Sequence, residues 1–340
     1  LLFNIALRKI HRPIDHYLRD WMHILVSNGT ANAQTHALGK ALKKVKVPTS
    51  VLQTYSTEYT LPAKYGKVSK EWTAAARFSG NDFSSFASPM LTLVPIIGAF
   101  LQDHMAPLGG FVPHIECWLL LVDILGFLTC GSTHAMQNID LLVDSIAKHH
   151  KLYDELYPNT IKPKWHHMLH LPRQYAAMKK IISCFVTERK HRSLKRATLY
   201  VFLYLEHTSL ADLVTQQCEQ ILDGHSLFQR EFLVHPSTVE VAGQPIQRAS
   251  AACLECGNIH ARDIVYVKGG QLARVTCFWQ YEAGLLTAQC TECEKVGEHT
   301  YRDSAAVVFV ASHTIIDAVA YRRKDDGELR VLLPFIARFH

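Results

Sequence analysis

Three short stretches of this sequence carry side chains suited to chemistry. In Tyr17-Leu18-Arg19-Asp20-Trp21-Met22-His23, a carboxylate stands three residues ahead of an imidazole, where a helical pattern begins. Such an Asp can bind a metal or move a proton, and it can equally be an N-cap, worth about 1 kcal/mol through its bond to backbone N–H. In Lys164-Trp165-His166-His167-Met168-Leu169-His170-Leu171-Pro172, His166 and His170 stand four apart and would share one helix face, the spacing of paired zinc-binding histidines. His167 stands where H-E-x-x-H has its glutamate and no third ligand is nearby, so packing or hydrogen bonding beside an active helix is the expected role of the pair. In Ser183 to His191, Glu188 is the only acid among eleven charged residues between 161 and 205. It can serve as a metal ligand, or it can pair with Arg189 or Arg192 on a helix surface.

A fourth constellation lies near the end of the chain. Cys253, Cys256, Cys290 and Cys293 form C-x2-C-x33-C-x2-C, and four thiolates so spaced can close a tetrahedral structural zinc site. The linker exceeds the ~15–20 residues of a compact zinc ribbon, so four small core residues are the competing interpretation. Nine cysteines, an odd number, with two C-x-x-C pairs favour reduced thiols and an intracellular setting.

The elements that would position these groups follow from periodicity. From Asp20 to about Lys46, Met22, Leu25, Val26, Leu38 and Leu42 recur at mostly helical spacing, with Gly29 as a weak point. Asp82 is placed to cap a helix whose apolar face includes Phe83, Phe86, Met90, Leu91 and Val94, bent or ended by Pro95. Residues 114–130 and 134–157 read as two more helices. The apolar runs Pro89–Leu101 and Cys117–Cys130 fall short of the roughly 18 residues of a spanning helix, so buried core helices and no membrane partner are expected. Helices are also expected over 187–206 and 209–223. Beyond Pro236, runs of Val, Ile, Phe and Tyr alternate with Lys268-Gly269-Gly270, Glu282-Ala283-Gly284 and Asp325-Asp326-Gly327. These are hairpin turns, and five or six short strands in about a hundred residues suggest a small barrel.

Charge is unevenly distributed. The net charge is +8 over residues 1–80, −6 over 81–160, +9 over 161–205 and −5 over 206–340. Two basic blocks that met in space would make a groove for a phosphate backbone. Arg189, Lys190, Arg192, Lys195 and Arg196 would then grip phosphates, with Lys43, Lys44 and Lys46 as outlying contacts, the alternative being a solvated helix face. The sequence contains no G-x-x-x-x-G-K-[ST], G-x-G-x-x-G or G-x-S-x-G motif, which removes the usual support for nucleotide hydrolysis, dinucleotide redox chemistry and the hydrolase elbow. No signal-peptide pattern opens the sequence, so secretion is not expected.

In their order and separation, the D-x-x-H of Asp20 to His23, the K-x-H-x-x-x-H-L-P of Lys164 to Pro172 and the S-C-F-x-x-E-R-K-H of Ser183 to His191 resemble the transposase region of CACTA-type (En/Spm-like) DNA transposons, over about residues 12–205. The resemblance implies an RNase H-like domain with three catalytic carboxylates, of which Asp20 and Glu188 match two, and a helical insertion between them. Two Mg²⁺ ions ~3.5–4 Å apart would activate the attacking oxygen and stabilise the leaving one. His23 would orient Asp20 or a scissile phosphate from the second shell of ligands. The family's first Asp lies well upstream of Asp20, which only nineteen residues precede, so the expectation is the C-terminal part of a transposase, inactive by itself.

The expected architecture is therefore mixed. A partial RNase H-like α/β domain (residues 1–49, with a helical end over 161–235) carries a large helical insertion (50–160) and is followed by a small all-β barrel, SH3-like or zinc-ribbon-like, over 236–340. The expected function is that of a transposable-element-derived fragment acting in the nucleus on DNA, with self-association, Mg²⁺ at Asp20 and Glu188, and Zn²⁺ at the four cysteines. The alternative is a non-enzymatic DNA- or chromatin-binding protein working through its basic helix and β-rich tail.

Overall fold

The computed structural model describes residues 19–80, 82–107, 109–129, 137–179, 231–241, 244–254, 256–281, 285–334 and 337. The chain divides into two compact units, Leu1–Thr49 with Ala74–Phe185, and Ser50–Thr73 with Val186–His340. The described part of the first is helical and that of the second mainly antiparallel β. Mixed helix and sheet in this order agrees with the expected class. Residues 50–73 are grouped with the β unit.

The chain begins with α1 (Trp21–Leu25), α2 (Thr30–Lys44) and α3 (Thr49–Thr57), the last lying almost wholly in the second unit. The helical unit continues with α4 (Ala87–Phe100), α5 (Val112–Thr129), α6 (Ile139–Leu156), α7 (Pro163–Leu169) and α8 (Leu171–Met178). Gly29 is where the first helical pattern breaks. Asn28 turns the chain at φ 50° and Gly29 becomes the N-cap of α2. A Cβ there would stand 2.3 Å from the Ile24 carbonyl oxygen and 2.4 Å from the Leu25 carbonyl carbon, so only glycine fits. Gly29→Ala is expected to lower stability by roughly 1–2 kcal/mol, checked by urea unfolding.

Asp82 does not cap α4. It forms an ion pair with Lys162, and α4 starts five residues later behind Phe86. Pro95 does not end α4 either, which runs through it to Phe100 and on into a π-turn, Leu101–Met105. Apolar packing outweighs the lost backbone bond, because Met90, Leu93, Val94, Ile96, Ile97 and Phe100 are all buried. The helix Gly109–Thr129 is, by length and composition, apolar enough to cross a membrane, contrary to the shorter runs read from the sequence. Half of its most apolar stretch is buried inside the protein, and a core helix passes the same test.

The β unit opens with β1 (Tyr59–Thr60), and its strands resume as β2 (Phe232–Val234), β3 (Ser237–Val241), β4 (Gln244–Ala249), β5 (Ala251–Leu254) and β6 (Gly257–His260). They continue as β7 (Ile264–Val267), β8 (Gln271–Gln280), β9 (Leu286–Gly297), β10 (Thr300–Ala311), β11 (Ile315–Arg323) and β12 (Leu329–Leu332). Antiparallel ladders link β7–β8–β9–β10–β12–β11, and β11 pairs back to β7, so the circuit is closed. Closure leaves these six strands without a free edge. The turn at Gly269 and Gly270, with φ of 94° and 88°, has the two left-handed residues that a tight hairpin needs.

Alternation along β7 separates two cores. Ile264 and Tyr266 join Leu272, Cys293, Tyr301, Val319, Leu329 and Val331, a cluster drawn only from strands of the circuit and hence its interior. Val265 and Val267 join Phe278, Ala288, Cys290 and Ile315 against Leu233, Ala252, Leu254 and Ile259 of a second sheet, β2–β5–β6. Strand β1 pairs with β11, more than 250 positions further along the chain, through Tyr59–Arg322 and Thr60–Tyr321. Its segment is anchored further by the Lys64 ammonium, which donates to Asp317 Oδ1 (2.6 Å) and the Cys256 carbonyl (3.1 Å).

Candidate functional site

In the helical unit the first two motifs come together. Asp20 is the N-cap of α1, its carboxylate accepting from the N–H groups of Met22 (3.2 Å) and His23 (3.3 Å). The same carboxylate binds His23 Nδ1 through Oδ2. That contact fixes the ring and leaves Nε2 as the nitrogen able to meet a ligand.

Helix α7 packs on α1 from about 140 positions further along the chain. Pro163 at its first turn lacks the N–H that would be orphaned there, which favours a start at that point. Its Lys164 ammonium donates to the carbonyls of His23 (2.8 Å), Ser27 (2.9 Å) and Asn28 (2.8 Å), satisfying the acceptors at the end of α1 and the turn before Gly29. One turn into α8, Gln174 exchanges hydrogen bonds with Arg19. The Arg19 N–H donates to Gln174 Oε1 (2.7 Å), and Gln174 Nε2 donates to the Arg19 carbonyl (2.9 Å). The start of α1 is thus fixed at its backbone to α8 and its end to α7.

Around this junction lie His166 and His170, with Nε2 atoms 3.0 Å apart and rings edge-on. Burial, followed by the positive charges of Arg19, His166, His167 and Arg173, lowers the basicity of His170. Tyr175, fully buried on α8, has no hydrogen-bond partner for its hydroxyl, and burial together with the Asp20 charge pushes its pKa up. No family model matches the chain. No curated protein matches it either.

The other expected site residues are placed as follows. Glu188 and the basic residues Arg189, Lys190, Arg192, Lys195 and Arg196 lie outside the described residues. Lys43, Lys44 and Lys46 are exposed at and just beyond the end of α2. Among the described residues no three His, Cys, Asp or Glu side chains gather to hold a metal ion. A pair of Mg²⁺ ions needs several carboxylate oxygens, so the described residues around Asp20 do not by themselves fit that group.

The four cysteines do not converge. Cys290 and Cys293 sit on β9 three positions apart, where side chains of a strand face opposite ways, and accordingly Cys290 packs in the inter-sheet core and Cys293 in the circuit interior. Cys253 lies on β5 between Ala252 and Leu254, which face the inter-sheet core, so it points to the other face. Burial pushes the Cys290 and Cys293 thiols up to about 12 and Cys256 up to about 11.

Sequence reasoning missed two features. Lys164 carries no sequence signal beyond its motif, because its capping role depends on where α1 ends in space. The ion network on the circuit's inward face was not anticipated at all. There Arg274 donates to Asp303 (3.0 Å) and to the Tyr321 hydroxyl (3.0 Å), while Arg323 donates to Asp303 (2.8 Å). Despite its burial, hydrogen bonds from the two guanidinium groups hold the Asp303 carboxyl below its ordinary range. Its members come from β8, β10 and β11, and nothing local in sequence announces a contact across three strands.

Proposed function

We propose that the chain derives from a CACTA-type DNA transposase, and that α1, α7 and α8 contribute part of a nuclear site for DNA phosphodiesters. The observation that supports this is the meeting of D-x-x-H and K-x-H-x-x-x-H-L-P, two motifs the resemblance assigns to one active region and which no local rule would bring together. Asp20 binds His23 on α1, while Arg19 and Arg173 act electrostatically on His170, which pairs with His166 on the helix packed beside α1, a mixture of groups suited to holding a phosphate. Mg²⁺ held jointly by Asp20 and Glu188, as the resemblance implies, would supply activation of the attacking oxygen and stabilisation of the leaving one. Asp20 holds the His23 ring in place, and Lys164 fixes the loop behind it.

A second function is favoured by one specific observation. Asp20 already caps α1 and binds His23, a complete structural role without catalysis. A protein that holds DNA through its basic 189–196 segment and β-rich tail, and cuts nothing, is then the alternative.

Purified chain is expected to bind duplex DNA of unrelated sequences with similar affinity. If about six phosphates are contacted, affinity should fall roughly a thousandfold between 50 and 200 mM salt. Reversing charge at Lys195 and Arg196 should weaken binding about tenfold or more, and undiminished binding would remove this segment from the interface. Because the transposase fragment is expected to be inactive by itself, the two functions are separated by the response of DNA binding to Mg²⁺ rather than by nicking. Mg²⁺-dependent DNA binding that Asp20→Asn abolishes supports the transposase, whereas binding indifferent to both Mg²⁺ and Asp20→Asn supports the alternative.

A further inference from the structure

We propose that His166 and His170 form a two-histidine site for a borderline divalent transition ion, with Zn²⁺ as the physiological candidate. This is distinct from any Mg²⁺ role and does not rest on the transposase assignment. His166 is exposed on α7, and His170 is the residue that both ends α7 and precedes α8. Their Nε2 atoms approach to 3.0 Å with the rings at 81°. Two imidazole nitrogens bound at 2.0–2.1 Å to one tetrahedral zinc stand ~3.3 Å apart, so opening the pair by a few tenths of an ångström, turning one ring about χ2 and moving the donor ring's proton from Nε2 to Nδ1 lets both Nε2 atoms take the ion.

The preorganisation comes from the backbone. Spacing i, i+4 stacks the side chains on one helix face, and Pro172 at the start of α8 together with buried Met168 and Leu171 fixes the turn that carries His170. Imidazole selects zinc, nickel, cobalt and copper over magnesium, which requires oxygen. Two protein ligands leave the remaining positions to water or to an incoming phosphate oxygen, so the site is open rather than structural. Arg19 and Arg173 act electrostatically on His170 and oppose a cation, which sets the affinity below that of a closed four-ligand site.

The test is calorimetric titration of the full chain with Zn²⁺ in a buffer that does not chelate, comparing wild type with His166→Gln and His170→Gln. Because the chain has 20 histidines, His313→Gln, on an exposed turn of the β unit, serves as the control. One zinc equivalent is expected in wild type and in the control, and at least about tenfold weaker binding in either single variant. His166→Gln removes an exposed side chain, and its circular dichroism should match wild type. Co²⁺ should give a visible imidazole-ligand spectrum that both variants lose. Unchanged Zn²⁺ affinity in folded His166→Gln overturns the site, as does competition by equimolar Mg²⁺.

Discussion

Replacing Trp118 by Ala is expected to destabilise the helical unit by roughly 3–5 kcal/mol. The indole is fully buried on α5, and its Nε1–H donates to the Val94 carbonyl of α4 at 2.9 Å. Truncation therefore opens a large cavity between two helices and removes a buried hydrogen bond. Trp118→Phe separates the terms, since it keeps most of the packing and should lose a smaller share, with about 1 kcal/mol from the hydrogen bond. Urea unfolding of both variants measures the difference. The result also decides what the apolar helix Gly109–Thr129 is for. A core helix fails cooperatively when its central tryptophan is removed, and unaltered unfolding in aqueous buffer would show that α5 is not holding this unit together.

Local chemistry made much of the fold legible. Glycine pairs and Asp-Gly mark turns because few other residues take positive φ, and the hairpins joining β7 to β8 and β11 to β12 fall where Gly269, Gly270 and Gly327 stand. What stayed hidden was decided by distant partners. Asp82 has the chemistry of a cap but is drawn to Lys162, eighty residues away, and Pro95 is tolerated because its helix is buried. Strand β1 has two residues and no sequence signal, yet it pairs with β11. The C-x-x-C at Cys290 is zinc-like only if it lies on a turn, and placing it within a twelve-residue strand turns its thiols apart. The candidate site was legible as separate motifs, while their joining through Lys164 and Gln174 was not.

Stability is also expected to fall steeply as pH drops below about 6.5, with His149 as the principal cause. This residue is fully buried on α6, and its Nε2–H donates to Gln34 Oε1 at 2.7 Å, while Gln34 Nε2 reaches the Cys117 sulfur at 3.4 Å. Its Nδ1 is buried without a hydrogen-bond partner, and Tyr153 stacks on the ring. Desolvation, reinforced by neighbouring His150, lowers its pKa to about 3. The unfolded chain takes up a proton near pH 6.5 and the native state does not, so the unfolded state binds more protons throughout the interval and stability rises with pH. The contribution is fully present above the unfolded value and is lost progressively down to about pH 3, amounting to roughly 2 kcal/mol by pH 5. His36, His114 and His150 are shifted the same way, chiefly by burial, and add to the slope. His149→Gln keeps a donor for Gln34 but cannot protonate. Its unfolding free energy, measured by urea titration at pH 5 and pH 7.5, should depend on pH less than that of wild type by roughly that 2 kcal/mol. An equal pH dependence in the two proteins would mean that His149 is accessible to protons in the native state, and the buried Gln34–His149 pair would not be the element that holds α2 against α6.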